Sequence, residues 1–206
     1  MKRIRYNLIE KTLLDKKISM ISVIDFAKLF KVSTQSASRF LNRHSEENQQ
    51  FIKIKRGLYI FSRNAPIKLE IANYAYRPSY ISFESALSNY NIIPEAVYTI
   101  TSATTNKTKK FEIQGVDYKY YKIKKELFFG YRPVIIQQKI ILIAEKEKAL
   151  LDYAYLISLK KKTINERMNL NKINKNKLGY YINFFIKRIK KNEAFLKIVK
   201  KIYKSL

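Results

Sequence analysis

Residues 22–61 read SVIDFAKLFKVSTQSASRFLNRHSEENQQFIKIKRGLYIF, and this stretch decides the fold of the N-terminal part of the chain. Ser22, followed by an acid three residues later, has the capping-box pattern, which predicts a short helix that ends at Phe30. The residues predicted to be buried on this helix are Ile24, Ala27 and Leu29. Residues 31–33 form a turn of the length that joins the two helices of a helix-turn-helix. A second helix is predicted from Thr34 to His44.

The second helix has two faces of different character. Its apolar stripe recurs at i, i+3, i+4 and i+7, which is typical of a helix seated on a core, and consists of Ala37, Phe40, Leu41 and His44. The opposite face has no acid and consists of Gln35, Ser36, Ser38, Arg39, Asn42 and Arg43. Arginine, asparagine and glutamine are the side chains that recognise base edges in the major groove, so these six residues are the predicted DNA-binding surface. An ordinary solvated helix face is the alternative interpretation.

The β-rich run from Phe51 to Phe61 is interrupted at residues 55–57, which predicts a hairpin with a basic tip. We expect Lys53, Lys55 and Arg56 to contact the phosphate backbone or the minor groove. Helix, turn, helix and basic hairpin together predict a winged helix-turn-helix.

The whole chain is strongly basic, with 42 Lys and Arg against 16 Asp and Glu in 206 residues and a net charge of +26. A polyanionic partner is the simplest explanation, and double-stranded DNA fits the predicted motif. The charge lies at the two ends of the chain. Residues 1–64 hold 14 bases and 5 acids, residues 65–157 hold 13 and 9, and residues 158–206 hold 15 and 2.

Composition limits the class of protein further. An apolar content of 47% is enough for a core, and the absence of cysteine excludes disulfides and cysteine metal sites. No signal peptide or membrane-length apolar run is evident, so we expect a soluble, cytoplasmic protein.

The predicted fold class is α+β, with a winged helix-turn-helix in residues 1–64 and a mixed α/β domain with a helical, basic C-terminus in residues 65–206. A helix within residues 1–17 and a short strand at residues 18–21 complete the first domain. Pro66 is expected in the first turn of a helix that runs to Tyr76. Later helices are predicted at residues 83–90, with Ser82 as the cap, and from residue 145 to 156. Strands are predicted at residues 78–81, 97–103, 111–114, 116–123 and 134–144.

The last predicted helices are amphipathic. One apolar stripe is Leu178, Tyr181, Ile182, Phe185, Ile186 and Ile189, and the other is Phe195, Ile198, Val199, Ile202 and Tyr203. The basic residues largely outside these stripes are Lys187, Arg188, Lys190, Lys191, Lys197, Lys200, Lys201 and Lys204. We favour helices packed on a core over helices that lie on a membrane, because the stripes supply the packing that a small sheet needs on one side.

The order of several motifs resembles AbiEi-type antitoxins, two-domain transcriptional regulators of bacterial abortive-infection, or phage-defence, toxin–antitoxin systems. The motifs are residues 56–59 (RGLY), 78–87 (PSYISFESAL), 93–95 (IPE) with the strand at 97–103, and 143–152 (IAEKEKALLD). The resemblance covers about residues 20–157. It implies a repressor of its own operon that also neutralises a nucleotidyltransferase-like toxin, so the expected partners are operator DNA with inverted repeats and the cognate toxin.

The resemblance also implies structural roles for parts of these motifs. Gly57 and Tyr59 would fix the wing, with Gly57 in a positive-φ conformation at its tip. Residues 85–87 and 149–152 would be helix segments that pack the C-terminal domain.

Two other classes of function remain as alternatives. A metal-dependent DNA-processing enzyme would need clustered carboxylates, and Glu145, Glu147 and Asp152 are the nearest candidates. First-turn acids are common at helix N-termini without catalysis, and the single histidine, His44, is predicted to be a packing residue, so we predict no catalytic residue, no metal site and no cofactor. An architectural protein that binds DNA without operator preference is the other alternative.

Overall fold

A computed structural model describes residues 5–189 and 192–206, and this part of the chain is an α+β protein with eight α-helices and nine strands. It forms two compact units, Met1–Ile67 and Lys68–Leu206, which we call the N-terminal and C-terminal units. The predicted boundary, after residue 64, lies three residues before this division. Residues 1–4 of the predicted first helix, and Lys190 and Lys191 of the predicted basic surface, lie outside the described residues.

The N-terminal unit combines three helices with a three-stranded sheet. Its elements are α1 (Tyr6–Asp15), β1 (Met20–Ser22), α2 (Val23–Phe30), α3 (Thr34–Glu46), β2 (Phe51–Lys55) and β3 (Leu58–Phe61). The strand order is β1-β3-β2 and both pairings are antiparallel. The short strand predicted at residues 18–21 is confirmed as the third member of a sheet, although it begins at Met20 and ends at Ser22.

Side-chain caps fix the starts of α2 and α3. The Ser22 hydroxyl accepts a hydrogen bond from the Asp25 amide at 3.0 Å, and the Ser33 hydroxyl accepts one from the Ser36 amide at 3.1 Å. Lys31 ends α2 in the left-handed conformation. The predicted bounds of α2 are confirmed, and α3 continues two residues past the predicted end at His44.

The predicted buried face of α2 was wrong at Ile24, which is 58% exposed. Phe26 is fully buried instead. In an eight-residue helix the apolar residues form two overlapping stripes, and the stripe that contains Val23, Phe26, Ala27 and Phe30 faces the core. Ile24 lies on the other side of the helix.

The C-terminal unit is a six-stranded mixed sheet with helices on both faces. Its elements are α4 (Lys68–Ala75), β4 (Ser79–Ile81), α5 (Phe83–Asn89), β5 (Ile100–Thr104), β6 (Lys109–Ile113), β7 (Val116–Lys122), β8 (Tyr131–Ile136), β9 (Lys139–Ala144), α6 (Lys146–Ser158), α7 (Lys175–Ile186) and α8 (Glu193–Lys204). The strand order is β6-β7-β5-β4-β9-β8. The β5–β7 and β4–β9 pairings are parallel and the others are antiparallel.

Two neighbouring tyrosines on β7 show how the helices cover this sheet. Tyr120 and Tyr121 point to opposite faces because successive side chains alternate along a strand. The Tyr120 hydroxyl donates to the carbonyl of Ala72 in α4 at 2.7 Å, whereas the Tyr121 ring packs edge-on against Phe83 in α5. α4 therefore covers one face, and α5, with α6 packed beside it, covers the other.

Several sequence predictions for this unit need correction. The strand predicted over residues 134–144 is a hairpin of β8 and β9, because Gln137 and Gln138 both adopt positive φ and reverse the chain. The helix expected to begin at Pro66 begins at Lys68. Ser82 precedes α5 as predicted, but its side chain makes no cap hydrogen bond, since its hydroxyl donates to Asp152 instead.

The two C-terminal helices pack on α6, so their apolar stripes belong to the core of the unit. The Phe185 and Phe195 rings stack with centroids 5.7 Å apart, which joins α7 to α8. Within the stripes, Ile186 and Tyr203 remain 40% and 36% exposed, so those two predicted core positions are wrong. No helix in the described part of the chain is both long and apolar enough to cross a membrane.

Candidate nucleic-acid interface

The core of the N-terminal unit fixes which side of α3 faces outward. Ala37, Phe40 and Leu41 are buried, and the Phe40 ring stacks on Phe26 with centroids 5.5 Å apart and meets Phe51 edge-on. The predicted buried stripe of α3 is therefore confirmed at these three positions.

The six predicted DNA-binding residues of α3 differ in exposure. Gln35, Arg39 and Arg43 are exposed, whereas Ser36, Ser38 and Asn42 are half-buried. Arg39 and Arg43 lie one helical turn apart, so their guanidinium groups project from the same face.

The hairpin carries the predicted basic residues on its outside. Lys53, Lys55 and Arg56 are all exposed, and Arg56 and Gly57 form the turn between β2 and β3. Gly57 has φ +79°, a left-handed conformation that favours glycine, as the resemblance implied.

A hydrogen-bonded group joins α3 to the hairpin. The Asn42 side-chain oxygen accepts one hydrogen bond from the Tyr59 hydroxyl at 2.7 Å and another from Lys53 Nζ at 3.2 Å. Burial, with a smaller contribution from the charge of Glu46, raises the pKa of Tyr59, so its hydroxyl stays a donor at neutral pH. Asn42 thus holds α3 and the hairpin together. Its side-chain oxygen already accepts two hydrogen bonds, whereas a residue that reads a base needs a free side chain.

The arginines of this surface keep their charge available. Within residues 5–189 and 192–206, Arg39, Arg43 and Arg56 form no salt bridge. One acid of the same unit, Glu10, pairs with Arg63 at 2.6 Å. The surface formed by Gln35, Arg39, Arg43, Lys53, Lys55 and Arg56 is called the α3–hairpin surface below, and it has the composition expected for contact with phosphates and base edges.

His44 has a packing role, as predicted from its place at the end of the apolar stripe. Its ring lies 4.1 Å from the Phe40 ring and 5.3 Å from the Tyr6 ring, measured between centroids. Its Nδ1 is 2.7 Å from the side-chain oxygen of Gln50.

The three acids that the enzyme alternative would need have separate partners. Glu145 accepts hydrogen bonds from Tyr181 and Lys177, and the Glu147 carboxylate accepts one from the amide of Asn174 at 2.9 Å. Asp152 is fully buried elsewhere on α6. In the described ranges, no group of three His, Cys, Asp or Glu side chains could hold a metal ion.

Sequence reasoning missed a buried polar cluster in the C-terminal unit. Lys148 and Asp152 are fully buried and form an ion pair. Lys148 Nζ also donates to the Tyr80 hydroxyl at 2.7 Å, and Asp152 accepts from Tyr80 at 2.9 Å and from Ser82 at 2.8 Å. Burial lowers the pKa of Lys148 and raises that of Asp152, while their mutual attraction opposes both shifts.

The surroundings of Lys148 are aromatic and tightly packed. Its Nζ lies 5.2 Å from the ring centroids of Tyr80, Phe129 and Phe185. Gly130 has φ +68°, and a Cβ there would lie 3.0 Å from Cγ of Lys148, so a larger residue is disfavoured at this position. The sequence carried a signal for this cluster, because Lys148 and Asp152 lie four residues apart in a helix whose other residues from 149 to 157 are all apolar or aromatic.

No protein-family model matches the sequence, and no curated protein sequence matches it.

Proposed function

We propose that the N-terminal unit is a winged helix-turn-helix domain that binds double-stranded DNA, with α3 as the recognition helix and the β2–β3 hairpin as the wing. The observation that carries this proposal is the α3–hairpin surface, in which one helix face and one hairpin tip present cations side by side. The hydrogen bonds of Asn42 to Tyr59 and Lys53 support it, because they hold helix and hairpin in one fixed arrangement.

In this arrangement the two elements have different tasks. Arg39 and Arg43 reach guanine edges in the major groove, with Gln35, Ser36 and Ser38 nearest the start of the helix. Lys53, Lys55 and Arg56 contact phosphates, which positions the protein without selecting a sequence.

We further propose that the protein represses its own operon and is the antitoxin of a nucleotidyltransferase-like toxin. The resemblance to AbiEi-type antitoxins supports this part, together with the existence of a second unit that the DNA-binding role does not require. The motif residues 85–87 and 149–152 lie in α5 and α6, which pack against each other in the C-terminal unit. Toxin neutralisation is assigned to that unit.

The first test measures DNA binding by the double variant Arg39→Ala/Arg43→Ala. Removal of each base-reading side chain should cost about 1–3 kcal/mol on the operator and little on unrelated DNA. The ratio of specific to non-specific affinity should therefore fall sharply. Lys197→Ala/Lys200→Ala, which removes two exposed cations from α8, is the matched control and should leave that ratio unchanged. Equal ratios in the two double variants would refute the recognition-helix assignment.

The same variant separates the two proposed activities in cells. Arg39→Ala/Arg43→Ala should fail to repress an operon reporter and should still protect cells that express the toxin. Growth of the toxin-expressing cells and reporter output are measured in parallel. If protection disappears together with repression in every variant, the C-terminal unit is an accessory to DNA binding and not an antitoxin.

A further inference from the structure

The β8–β9 hairpin is apolar on both faces. On the face toward the core, Ile141 and Ile143 are fully buried. On the other face, Ile135 and Ile140 lie directly opposite each other in the ladder and are 76% and 71% exposed. A pair of strands with two apolar faces is typical of a sheet that is covered on both sides, so the outer face of this hairpin has the composition of an interface.

A cavity lies beside the exposed isoleucines. It has a volume of about 460 Å³, is located between α4 and the hairpin, and has Tyr74, Phe128, Tyr131 and Leu142 among its lining residues. Ile140 lines the cavity, and Ile135 lies opposite Ile140 in the ladder, so a projecting side chain and a recess share one surface. We call this surface, formed by Pro133, Ile135, Ile140, Leu142 and the cavity, the hairpin face.

The cavity wall is held rigidly on the side of α4. The Asn73 side chain donates to the Leu142 carbonyl at 3.1 Å and accepts from the Leu142 amide at 2.6 Å. Glu70, which also lines the cavity, pairs with Lys139 of β9 at 3.6 Å. These contacts hold α4 against β9 on one side of the recess.

The segment of the chain that contains the hairpin differs in charge from the rest of the chain. Residues 126–157 carry four bases (Arg132, Lys139, Lys146 and Lys148) and four acids (Glu126, Glu145, Glu147 and Asp152), a net charge of zero in a chain of +26. Two copies of so basic a protein repel each other over most of their surface. The electrostatic repulsion between two copies is weakest where the charge of the contacting surfaces is balanced.

We propose that the hairpin face is the site at which a second copy of this chain binds, through a two-fold interface. In such an interface the same surface is used by both copies, so Ile135 of each copy enters the recess of the other. Pro133 lies on the edge strand β8 and lacks an N–H, which disfavours extension of the sheet by a partner strand and favours face-to-face contact. The choice of a second copy rests partly on the proposed function, because inverted repeats are bound by two recognition helices related by a two-fold axis.

An acidic protein is the main competing occupant. Its best electrostatic match on this chain is the segment of residues 158–206, with 15 bases and 2 acids, and not the neutral hairpin face. The balance of charge therefore favours self-association at this position.

The experiment measures the molar mass of the full chain by light scattering over a wide range of concentration, without DNA. The wild-type chain should change from monomer to dimer as concentration rises. Ile135→Thr/Ile140→Thr keeps β-branched side chains in the strands but removes apolar contact, and should weaken the dimer by about a hundredfold. Tyr98→Thr removes another exposed side chain (88% exposed) and should dimerise as the wild type does. Circular dichroism and thermal melting should show that all three proteins are folded.

Two results would overturn the proposal: a wild-type chain that stays monomeric at every concentration, or a double threonine variant that dimerises as well as the wild type. If the wild-type chain stays monomeric but binds an added acidic toxin, and the threonine variant does not bind that toxin, the hairpin face is the toxin-binding site instead. The proposed DNA-binding function is tested separately on a single operator half-site, which needs only one copy. Dimerisation without DNA binding refutes the function alone, and half-site binding by a permanent monomer refutes the dimer alone.

Discussion

The two units differ in whether they bury charged side chains. The N-terminal unit has an apolar core and carries Arg39, Arg43 and Arg56 outside, whereas the C-terminal unit buries Lys148 and Asp152 completely. Exposed cations cost the fold little and remain available to a partner, while a buried cation is tied to the groups that neutralise it. The arginines of the α3–hairpin surface are thus accessible to a partner, whereas Lys148 is committed to the interior of the C-terminal unit.

The largest effect is expected from Lys148→Met, which keeps the apolar stem and removes the charge. Asp152 would be left without its cation at a fully buried position, and the free energy of unfolding should fall by about 3–5 kcal/mol. Lys197→Met, at an exposed position of α8, is the control and should change it by about 0.5 kcal/mol or less. Urea unfolding of both variants measures the difference.

The pH dependence of that variant sharpens the test. Burial already raises the pKa of Asp152, and without Lys148 the main opposing influence on that pKa is gone. A carboxyl whose pKa is higher in the folded state than in the unfolded state stabilises the fold when protonated, and this stabilisation is lost as pH rises through the folded pKa. The deficit of Lys148→Met should therefore shrink on acidification. A small deficit that is independent of pH would contradict a charged pair at this site.

The second prediction concerns the apolar core of the N-terminal unit. Phe40→Ala should destabilise that unit by about 3–5 kcal/mol, because the ring fills space between Phe26 and Phe51. Ile24→Ala, on the exposed side of α2, is the matched control and should change stability by about 0.5 kcal/mol or less. Thermal unfolding of the two variants compares them directly. Equal losses of stability would mean that α2 and α3 do not present these faces to one core.

The smallest effect on stability is expected at the hairpin tip. Lys55→Ala/Arg56→Ala should leave the free energy of unfolding within about 0.5 kcal/mol of the wild type. The slope of log K against log salt for DNA binding should nevertheless flatten by about 0.9 for each phosphate that the variant no longer neutralises. Titrations at several salt concentrations measure this slope. An unaltered slope would mean that the hairpin does not contact the DNA phosphates.

Local patterns predicted most of the N-terminal unit. The Ser22 cap, the stripe of Ala37, Phe40 and Leu41, and the turn at Gly57 each depend on residues close in sequence, so they could be identified without the structure. The cap at Ser33 follows the same local rule, but Ser33 was predicted only as part of the turn between the helices. Ile24 was misassigned because a helix of eight residues offers two apolar stripes, and only the position of the core decides between them.

The C-terminal unit was harder to predict because its contacts join distant parts of the chain. Nothing in the sequence near Lys148 and Asp152 indicates that Tyr80 and Ser82 contact this pair, since both residues lie about seventy positions earlier in the chain. The reversal at Gln137 and Gln138 was missed because neither residue is a usual turn signal. In the candidate site, the engagement of Asn42 by Tyr59 and Lys53 required the pairing of α3 with the hairpin, which sequence spacing does not give.

The order of strands in the C-terminal sheet has a consequence for how the chain folds during its synthesis. The central strand β4 pairs with β5 through Ile81 and Ser102 and with β9 through Ile81 and Ile143, so the sheet cannot close until residues near 144 have left the ribosome. The N-terminal unit draws all of its sheet pairings from its own first 67 residues, and such local contacts form quickly. We therefore expect the N-terminal unit to fold on the ribosome before the sheet of the C-terminal unit can form. A chain whose synthesis stalls partway would already carry a folded α3 and β2–β3 hairpin.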